Sequence, residues 1–430
     1  MRCSYGSGKS LVVKAEIIAV GSELLTPFRL DTNSLFLTAE LNSLGFRVTR
    51  KVIVGDDAAL LREAFREALE RVELVVASGG LGPTADDLTR ETVAELLGCR
   101  LLRDEAILHD IEARFKRFAR TMPEINARQA MVPEGATVLP NPRGTAPGLW
   151  LETQGRIVVL LPGPPVELEA LFRAEVQPRL AKRSPGLRLF SRDVRIAGMP
   201  ESHVDHLIAP IYKQYDQVET TILASYPGEI QLHPRIWSDD PAAAEKILNE
   251  LVERITIALG ESVFTTTGET IEQVVASSLI FNRATIATAE SCTGGMLSER
   301  LTNVPGSSAY FRGGVISYSN DLKTEFVDVP GELIDSKGAV SSEVALAMAE
   351  GVRRRTGATL GLSVTGIAGP GGGTHAKPVG TVHIGLANEG GARERGFRFP
   401  GGRDRIRMQA SQAALDMIRR HFIYPAHPKG

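Results

Sequence analysis

The sequence predicts an α/β protein of roughly three domains, the first of them built on a mostly parallel sheet. The length of 430 residues corresponds to about three domains at roughly 150 residues each. From Lys14 onward, short apolar runs alternate with helical patterns, which indicates parallel strands joined by helices. This alternation changes near residue 181, so we divide the chain into domains 14–180, 181–262 and 268–424.

In the first domain, strands and helices follow each other in a regular order. The strand-like "AEIIAV" precedes leucines at helical spacing, Leu37, Leu41 and Leu44. The mostly alternating "FRVTRKVIV" and a helical pattern around Phe65 come next, before the buried-type strand "ELVVAS". The stretch "RIVVLLPGPPVELEALF" repeats the strand-to-helix order, with prolines in the turn.

The middle domain reads as a small α+β module without a dense motif. Its strand-like runs include "RDVRIAG" and "GEIQLHPRIW", and "ESHVDHLIAPIY" has a helical pattern. The third domain starts with a helix near Glu269, continues with the strand-like "RATIATAE", and ends with a helix through 406–418. We expect it to be a second α/β domain.

Composition and charge exclude some classes of protein. Lysine and arginine number 49, and aspartate and glutamate number 51, so there is no overall basic field and direct nucleic-acid binding is not supported. Cys3, Cys99 and Cys292 lie far apart, which argues against a disulfide framework and for a reducing compartment. No apolar run approaches the roughly 18 residues of a membrane span, so we predict a cytoplasmic protein without a membrane partner.

A glycine-rich turn in "VVASGGLGPTADDLT" predicts a phosphate site. A buried-type strand ends at Gly79, Gly80 and Gly82, and we expect a helix to begin near Thr84. Glycines let main-chain N–H groups approach an anion, and a helix N-terminus adds positive potential. The earlier "YGSGKS" only imitates a phosphate-binding P-loop, because Cys3 stands where that motif needs glycine.

Acidic residues follow this turn directly. Asp86 and Asp87 would repel a bound phosphate unless a divalent cation bridged them, so they are candidate metal ligands. Asp31 and Asn33 follow another strand and offer polar groups at the edge of the sheet where ligands gather. The alternative is structural: residues 84–87 form a helix-capping box, and the glycines only make a turn.

The stretch "ESCTGG" joins a predicted strand to a predicted helix in the third domain. Ser291, Cys292 and Thr293 stand in a row before Gly294 and Gly295. Such a turn exposes a nucleophile, lowers its pKa through the helix dipole and offers N–H groups to an oxyanion. A cysteine nucleophile would normally need a histidine base, and no histidine of this domain is well placed. A buried filler is the commoner role for such a cysteine.

A lysine offers another base. Lys323 follows the strand-like "GGVIS" in a polar stretch with Tyr318 and Asn320. An amine can act as general base if burial or neighbouring cations depress its pKa. The alternative is a solvated loop lysine, so the residues alone leave Ser291 and Cys292 both open as nucleophiles.

Two further stretches offer groups for a substrate phosphate. The loop "TGIAGPGGG" contains Gly369 and Gly371 and would wrap a phosphate or form a mobile lid. Arg403 and Arg407 lie one helical turn apart and would clamp an anion, unless they belong to a solvated helix face.

These stretches together resemble the CinA family of competence/damage-inducible proteins. "AEIIAVGSELL", "DTNS", "SGGLGPTADDLT" and "PGPPVE" resemble its N-terminal molybdopterin-binding-like domain. "TAESCTGG", "LTNVPGSSAYFRGGVISYSN", "TGIAGPGGG" and "KPVGTV" are similar to its C-terminal nicotinamide-nucleotide amidase domain, and the middle domain is similar to its KH-like domain. The motifs occur in the family's order from about Lys14 to His421.

For the C-terminal domain, the resemblance implies an amidase that needs no cofactor. It would hydrolyse the carboxamide of nicotinamide mononucleotide to nicotinate mononucleotide and ammonia, as a step in pyridine-nucleotide recycling. Ser291 would be the nucleophile, Lys323 the general base and Tyr318 an aid to proton transfer. The substrate-binding residues would be Thr293, Gly294, Gly295, Asn320, Gly369, Gly371 and Arg403.

For the N-terminal domain, the resemblance implies metal-dependent cleavage of ADP-ribose at its pyrophosphate, with Mg, Mn or Co. The chain has "ELLTPFRL" where the family usually has glycine after "ELLL", in a loop that adjoins the predicted pocket. The family also implies a homodimer. The phosphate site would comprise Asp31, Asn33, Gly79, Gly80, Gly82, Thr84, Asp86 and Asp87, the last two also as metal ligands.

Two other hypotheses compete with these activities. In the first, the chain is a molybdopterin-type nucleotide-binding protein whose C-terminal domain is regulatory and deamidates nothing. In the second, it is a competence or damage-response adaptor without enzymatic activity. A version of that adaptor that binds DNA directly would need a clustered basic surface, which the sequence does not display.

Overall fold

The computed structural model describes residues 13–423, apart from the side chains of residues 225 and 226. The stretch "YGSGKS", which imitates a P-loop, lies outside this range. The chain divides into two compact units: the first comprises residues up to 190 with 237–241, and the second comprises 191–236 with the residues from 242 onward. Most of the middle domain and the whole C-terminal domain therefore lie in the second unit.

The first unit is built on a sheet of both parallel and antiparallel strands. Its strands are β1 (Lys14–Val20), β2 (Arg47–Val54), β3 (Leu74–Ser78), β4 (Leu101–Arg103), β5 (Met131–Pro133), β6 (Thr137–Leu139), β7 (Gly148–Thr153) and β8 (Arg156–Leu161). Its helices are α1 (Thr32–Ser43), α2 (Ala58–Arg71), α3 (Thr89–Leu96), α4 (Glu105–Arg117), α5 (Pro165–Leu171) and α6 (Gln177–Ala181). The main sheet has the order β2-β1-β3-β8-β7-β6, and the first four of these strands are parallel. The predicted mostly parallel sheet is confirmed.

Helix α2 illustrates why the helices form where the sequence predicts them. The side chain of Asp57 accepts hydrogen bonds from the N–H groups of Ala59 and Leu60, which otherwise lack partners at a helix start. Leu61 and Phe65, four residues apart, are buried in the core on one face of the sheet. Burying each of these side chains stabilises the fold by roughly 1.5–3 kcal/mol.

Most of the predicted α+β module lies in the second unit. Its strands are β9 (Arg188–Ser191), β10 (Val194–Ala197), β11 (Glu219–Tyr226), β12 (Glu229–Ser238) and β13 (Val263–Thr265), and its helices are α7 (Glu201–Tyr212) and α8 (Pro241–Leu259). The sheet runs β11-β12-β10-β13 with antiparallel pairs.

The C-terminal domain has a second α/β sheet. Its strands are β14 (Ile286–Glu290), β15 (Phe311–Ile316), β16 (Leu360–Gly366), β17 (Thr381–Asn388) and β18 (Gly391–Arg398). Its helices are α9 (Ile271–Phe281), α10 (Met296–Thr302), α11 (Asn320–Val327), α12 (Gly331–Lys337), α13 (Ser342–Thr356) and α14 (Arg403–Ile423). The order is β15-β14-β16-β17-β18, and β14 pairs in parallel with both of its neighbours. Segments that follow β14, β15 and β16 therefore meet at one edge of the sheet.

One predicted helix start is wrong. Helix α3 begins at Thr89 and not near Thr84, because the carboxylate of Asp87 accepts from the N–H and hydroxyl of Thr84 and closes a local turn instead. The hydroxyl of Thr89 donates to Gly79 O, so the true helix start still adjoins the glycine-rich turn. Within residues 13–423, no helix is long and apolar enough to cross a membrane.

Candidate active site

The turn 291–295 lies at the carboxyl end of β14, the central strand of the parallel part of the C-terminal sheet. Every residue of β14 is buried, and the N–H of Ser291 donates to Val364 O at 2.9 Å, which continues the pairing with β16 by one residue. Gly294 and Gly295 have φ values of 60° and 95°, a region that favours glycine. These glycines let the chain reverse sharply into α10, and the predicted strand-to-helix turn is confirmed.

Ser291 and Lys323 are in contact. The Nζ atom of Lys323 lies 3.2 Å from Ser291 Oγ. Lys323 is on α11, whose N-terminus is capped by the side chain of Ser319, and only 1% of its surface is exposed. The alternative of a solvated loop lysine is therefore wrong.

The surroundings of Lys323 decide how its amine is oriented. Nζ donates to Ser317 O at 2.8 Å and to Tyr318 O at 3.2 Å. Burial lowers the pKa of Lys323, because the charged form loses its hydration. Ser319 O is a third carbonyl near Nζ, at 3.5 Å. In its neutral form the amine has one lone pair, which can accept the proton of the Ser291 hydroxyl. The arrangement suits proton transfer from Oγ to Nζ.

Cys292 has the properties of a core residue. It is 5% exposed and packs in the hydrophobic core with Leu297 and Val364. Burial raises the pKa of the Cys292 thiol to about 12, so the thiol is protonated at neutral pH and is a poor nucleophile. This geometry favours Ser291 over Cys292.

Glu290 is a site residue that the sequence reasoning missed. Its carboxylate is fully buried and accepts from the N–H groups of Gly295, Leu297 and Ser298 at 2.8–3.1 Å. It also accepts from the Ser298 hydroxyl. The carboxylate caps α10 and neutralises its positive end, which holds the turn rigid. The sequence contained one signal for this role, namely an acidic residue just before a predicted helix.

Two other N–H groups of the turn remain without an acceptor. Among residues 13–423, the main-chain N–H groups of Cys292 and Thr293 make no hydrogen bond. Since both follow Ser291 directly, they lie where the oxyanion-hole donors of a serine nucleophile are usually found. The Thr293 hydroxyl is buried, and no partner for it is found within the described residues. The carbonyl of Thr293 accepts from Arg407 at 2.8 Å, which fixes the peptide that follows.

Arg403 links two of the other predicted residues. Its guanidinium donates to Gly369 O at 2.9 Å and to the phenol oxygen of Tyr318 at 3.0 Å. Tyr318 is 56% exposed, and among the described residues its hydroxyl bonds to Arg403 and not to Ser291 or Lys323. Asn320 and Gly371 are exposed, the first at the start of α11 and the second beyond Gly369.

In the N-terminal domain, the predicted phosphate residues divide between two neighbouring cavities. A cavity of about 280 Å³ is lined by Gly79, Gly80, Gly82, Asp86 and Asp87. A second one, of about 340 Å³, is lined by Asp31 and Asn33. The two share Val20, Glu23 and Gly163 as wall residues. Thr84 lines neither and serves the turn with Asp87. Sequence reasoning missed three carboxylates of the first cavity, Glu23, Asp56 and Glu167.

Few side chains are available as ligands at the predicted metal site. Nowhere in residues 13–423 do three or more His, Cys, Asp or Glu side chains converge as a metal site. Asp86 is exposed, and Asp87 is engaged by Thr84. Mg²⁺ usually takes one or two carboxylates and completes its shell with water and substrate phosphates. Asp86 and Asp87 fit that use and do not form a cage made of protein ligands alone.

The chain matches three protein-family models in succession: "Probable molybdopterin binding domain" at residues 16–182, "Damage-inducible protein CinA KH domain" at 191–265 and "CinA C-terminal domain" at 268–422. It is 49% identical over 413 residues to a CinA-like protein of Koribacter versatilis, covering 95% of this chain and 100% of that one. It is also 49% identical over 408 residues to a CinA-like protein of Solibacter usitatus, covering 95% and 98%. A crystal structure of the protein CinA from Thermoplasma acidophilum is 39% identical, with 38% of this chain and 96% of that chain covered and a TM-score of 0.36. Since relatives this similar match over nearly their whole length, the chain belongs to the CinA family of competence/damage-inducible proteins and carries its molybdopterin-binding-like, KH and C-terminal domains.

Proposed function

We propose that the C-terminal domain hydrolyses the carboxamide of nicotinamide mononucleotide to nicotinate mononucleotide and ammonia. The observation that carries this proposal is the 3.2 Å approach of Lys323 Nζ to Ser291 Oγ at a rigid strand-to-helix turn. A serine beside a buried lysine with a lowered pKa is a nucleophile with its own base. Such a pair suits acyl transfer from an amide.

In the first half of the proposed reaction, Ser291 Oγ attacks the amide carbon while Lys323 Nζ takes the hydroxyl proton. The N–H groups of Cys292 and Thr293 donate to the oxyanion that forms. The ammonium of Lys323 then gives its proton to the leaving nitrogen, the C–N bond breaks, and ammonia departs. An acyl ester on Ser291 remains.

In the second half, water hydrolyses this ester. Lys323 takes a proton from water, the resulting hydroxide attacks the ester carbon, and the C–O bond to Ser291 breaks. The proton returns from Lys323 to Ser291 Oγ, and the new carboxylic acid loses its proton to water as nicotinate mononucleotide leaves. These steps use side chains, main-chain N–H groups and water, and Lys323 reverses its role in each half.

Arg403 is the proposed phosphate ligand. Its guanidinium has five N–H donors, of which two contact Gly369 O and the phenol of Tyr318. The remaining donors have no partner within residues 13–423 and would bind a phosphate as a fork. Gly371 and Asn320, both exposed, are further proposed substrate contacts. Thr293, Gly294 and Gly295 would border the reacting amide.

We further propose that the N-terminal domain cleaves ADP-ribose at its pyrophosphate with a divalent metal. The favouring observation is a cavity with both a glycine-rich wall and five carboxylates, from Glu23, Asp56, Asp86, Asp87 and Glu167. Such a cavity repels an anion unless a cation accompanies it. Asp86 and Asp87 would hold Mg²⁺, Mn²⁺ or Co²⁺, which would supply Lewis acidity to the reaction.

The purified chain tests both proposals when it is incubated with nicotinamide mononucleotide or ADP-ribose, with and without added divalent metal, and the products are identified. We expect ammonia release without added metal, lost in Ser291→Ala and retained in Cys292→Ala. Activity that survives Ser291→Ala but not Cys292→Ala would overturn the assignment. Tight nucleotide binding without deamidation would favour the regulatory hypothesis. Light scattering tests the homodimer that we also propose.

A further inference from the structure

A large cavity of the second unit lies away from Ser291. It has a volume of about 1020 Å³ and is bordered by the middle domain on one side and by β18 and α14 on the other. Neither Ser291 nor Lys323 lines it. This volume lies at the upper end of what small-molecule sites occupy, about 300–1000 Å³.

One wall of the cavity is a row of cationic and aromatic side chains. Arg393, Arg395, Phe397 and Phe399 alternate along β18 and just past its end, so they project to the same side. The rings of Phe397 and Phe399 are stacked, with centroids 5.1 Å apart and an interplanar angle of 13°. The guanidinium of Arg395 lies 5.0 Å from the Phe397 centroid. Such planes stack well against a planar aromatic ligand.

Two buried polar atoms at this wall have no hydrogen-bond partner among the described residues. Gln409 is 9% exposed, and within residues 13–423 neither its Oε1 nor the buried Nε of Arg393 makes a hydrogen bond. Burial also lowers the pKa of Arg393. Both residues line the cavity, and Arg393 donates through Nη2 to Met417 O. Buried polar groups are nearly always hydrogen-bonded, so these side chains favour a polar ligand over an apolar one beside them.

The unpaired charge around the cavity is positive. Glu394 is bound by His383 and Ser342, Asp416 by Arg419 and Arg420, and Glu229 by Gln412 and Gln231. In contrast, Arg393, Arg395 and Arg405 form no ion pair with any described carboxylate. Glu201, the remaining carboxylate, is exposed at the start of α7. The cavity is therefore suited to an anion.

We propose that this cavity binds a small ligand in which a planar aromatic ring carries an anionic group, as in a nucleoside monophosphate. The ring stacks on the Phe397–Phe399 row, the anion is bound by Arg393 and Arg405, and a donor of the ligand satisfies Gln409. This site is independent of the proposed amidase and pyrophosphatase sites.

The test uses AMP as probe and isothermal titration calorimetry on the full chain. Arg405→Gln and Phe397→Leu are each expected to weaken AMP binding about tenfold or more, since each removes a charge-assisted or stacking contact. Arg398→Gln and Phe281→Leu are the matched controls, because both residues are exposed and neither lines the cavity. Each substitution is measured in a chain that also carries Asp86→Asn and Arg403→Gln, so that AMP bound at the proposed pyrophosphatase and amidase sites does not contribute to the signal. Adenosine and ribose 5-phosphate, each lacking one half of the recognised chemistry, are expected to bind more weakly than AMP.

Several results would overturn the proposal. One is the absence of AMP binding, and another is binding that persists in Arg405→Gln and Phe397→Leu. Tighter binding of a single-stranded oligonucleotide than of AMP would make the row a nucleic-acid surface instead. A change of oligomeric state in both variants, without a change in AMP affinity, would make it a contact between protein chains. Arg405 is exposed, so its variant retains the test if Phe397→Leu fails to fold.

Discussion

At the scale of single residues, the proposed reaction of Ser291 depends on the protonation state of the Lys323 amine. A lysine on a surface is almost fully protonated at neutral pH and cannot take a proton. Burial favours the neutral form of Lys323 by penalising the charged form, while the carbonyls of Ser317, Tyr318 and Ser319 orient the N–H groups of the amine. Lys323 is a buried residue of α11, so the helix that positions the amine also determines its burial.

The lowered pKa of Lys323 gives a prediction for the pH dependence of deamidation. The general base must be neutral, so kcat/KM is expected to fall as pH decreases through the apparent pKa of Lys323. Because burial lowers this pKa from its ordinary 10.5, the fall should occur below that value. A pH–rate profile of ammonia release measures it.

A pair of lysine variants serves as the control for that profile. Lys323→Met is expected to reduce kcat by at least about 100-fold, the low end of general-base contributions. Lys337→Met removes an exposed lysine that pairs with Glu343 and should leave kcat unchanged. Ammonia release that persists in Lys323→Met would contradict the assignment of the base.

Tyr318 gives a prediction that separates two roles of one hydroxyl. The phenol oxygen accepts from Arg403 and lies on an exposed side chain, which suits positioning of the arginine better than proton transfer. Tyr318→Phe is therefore expected to raise KM for nicotinamide mononucleotide several-fold, with kcat changed less than about twofold. Steady-state kinetics of the unsubstituted chain and of Tyr318→Phe, with nicotinamide mononucleotide as substrate, measure both constants. A 100-fold loss of kcat at unchanged KM would instead support the proton-transfer role.

At the scale of secondary-structure elements, the conformation of the turn 291–295 depends on Glu290. Four hydrogen bonds converge on this buried carboxylate, and three of them come from main-chain N–H groups at the start of α10. Without them the helix end would carry unsatisfied donors in the protein interior. The turn that holds Ser291 would then lose its fixed shape.

Substitution of Glu290 is expected to destabilise the C-terminal domain. Glu290→Gln keeps the shape but removes the charge and one acceptor, which should cost about 2–4 kcal/mol because hydrogen bonds to charged groups are the stronger ones. Glu299→Gln changes an exposed glutamate in the first turn of the same helix and should cost less than about 0.5 kcal/mol. Calorimetric unfolding of the two variants provides the comparison, and equal melting temperatures would contradict the role given to Glu290.

The elements also show what the sequence could predict and what it could not. The change from an apolar strand pattern to helical spacing lies within a few residues of Gly294 and Gly295, so the turn 291–295 was predictable from the sequence. Lys323 meets Ser291 only because β14 and β15 are adjacent parallel strands, a pairing of segments that no local pattern specifies. The misplaced helix start at Thr84 has the opposite cause, because the side chain of Asp87 favours a local turn there over a helix.

At the scale of the whole molecule, each compact unit contains its own candidate site. The glycine-rich cavity with Asp86 is formed entirely by the first unit, and the pair Ser291 and Lys323 entirely by the second. Residues that contact each other couple, whereas residues without shared partners act independently. Substitutions in one site should therefore leave the chemistry of the other intact.

This independence gives a reciprocal prediction. Asp86→Asn is expected to reduce metal-dependent cleavage of ADP-ribose at least about tenfold, because the cation loses one anionic ligand. The same substitution is expected to leave ammonia release unchanged. Ser291→Ala should have the reverse effect. Asp110→Asn, an exposed aspartate on α4, controls for a simple loss of charge. Assay of both products for all three variants tests the prediction, and a fall of both activities in Asp86→Asn would show that the two sites depend on each other.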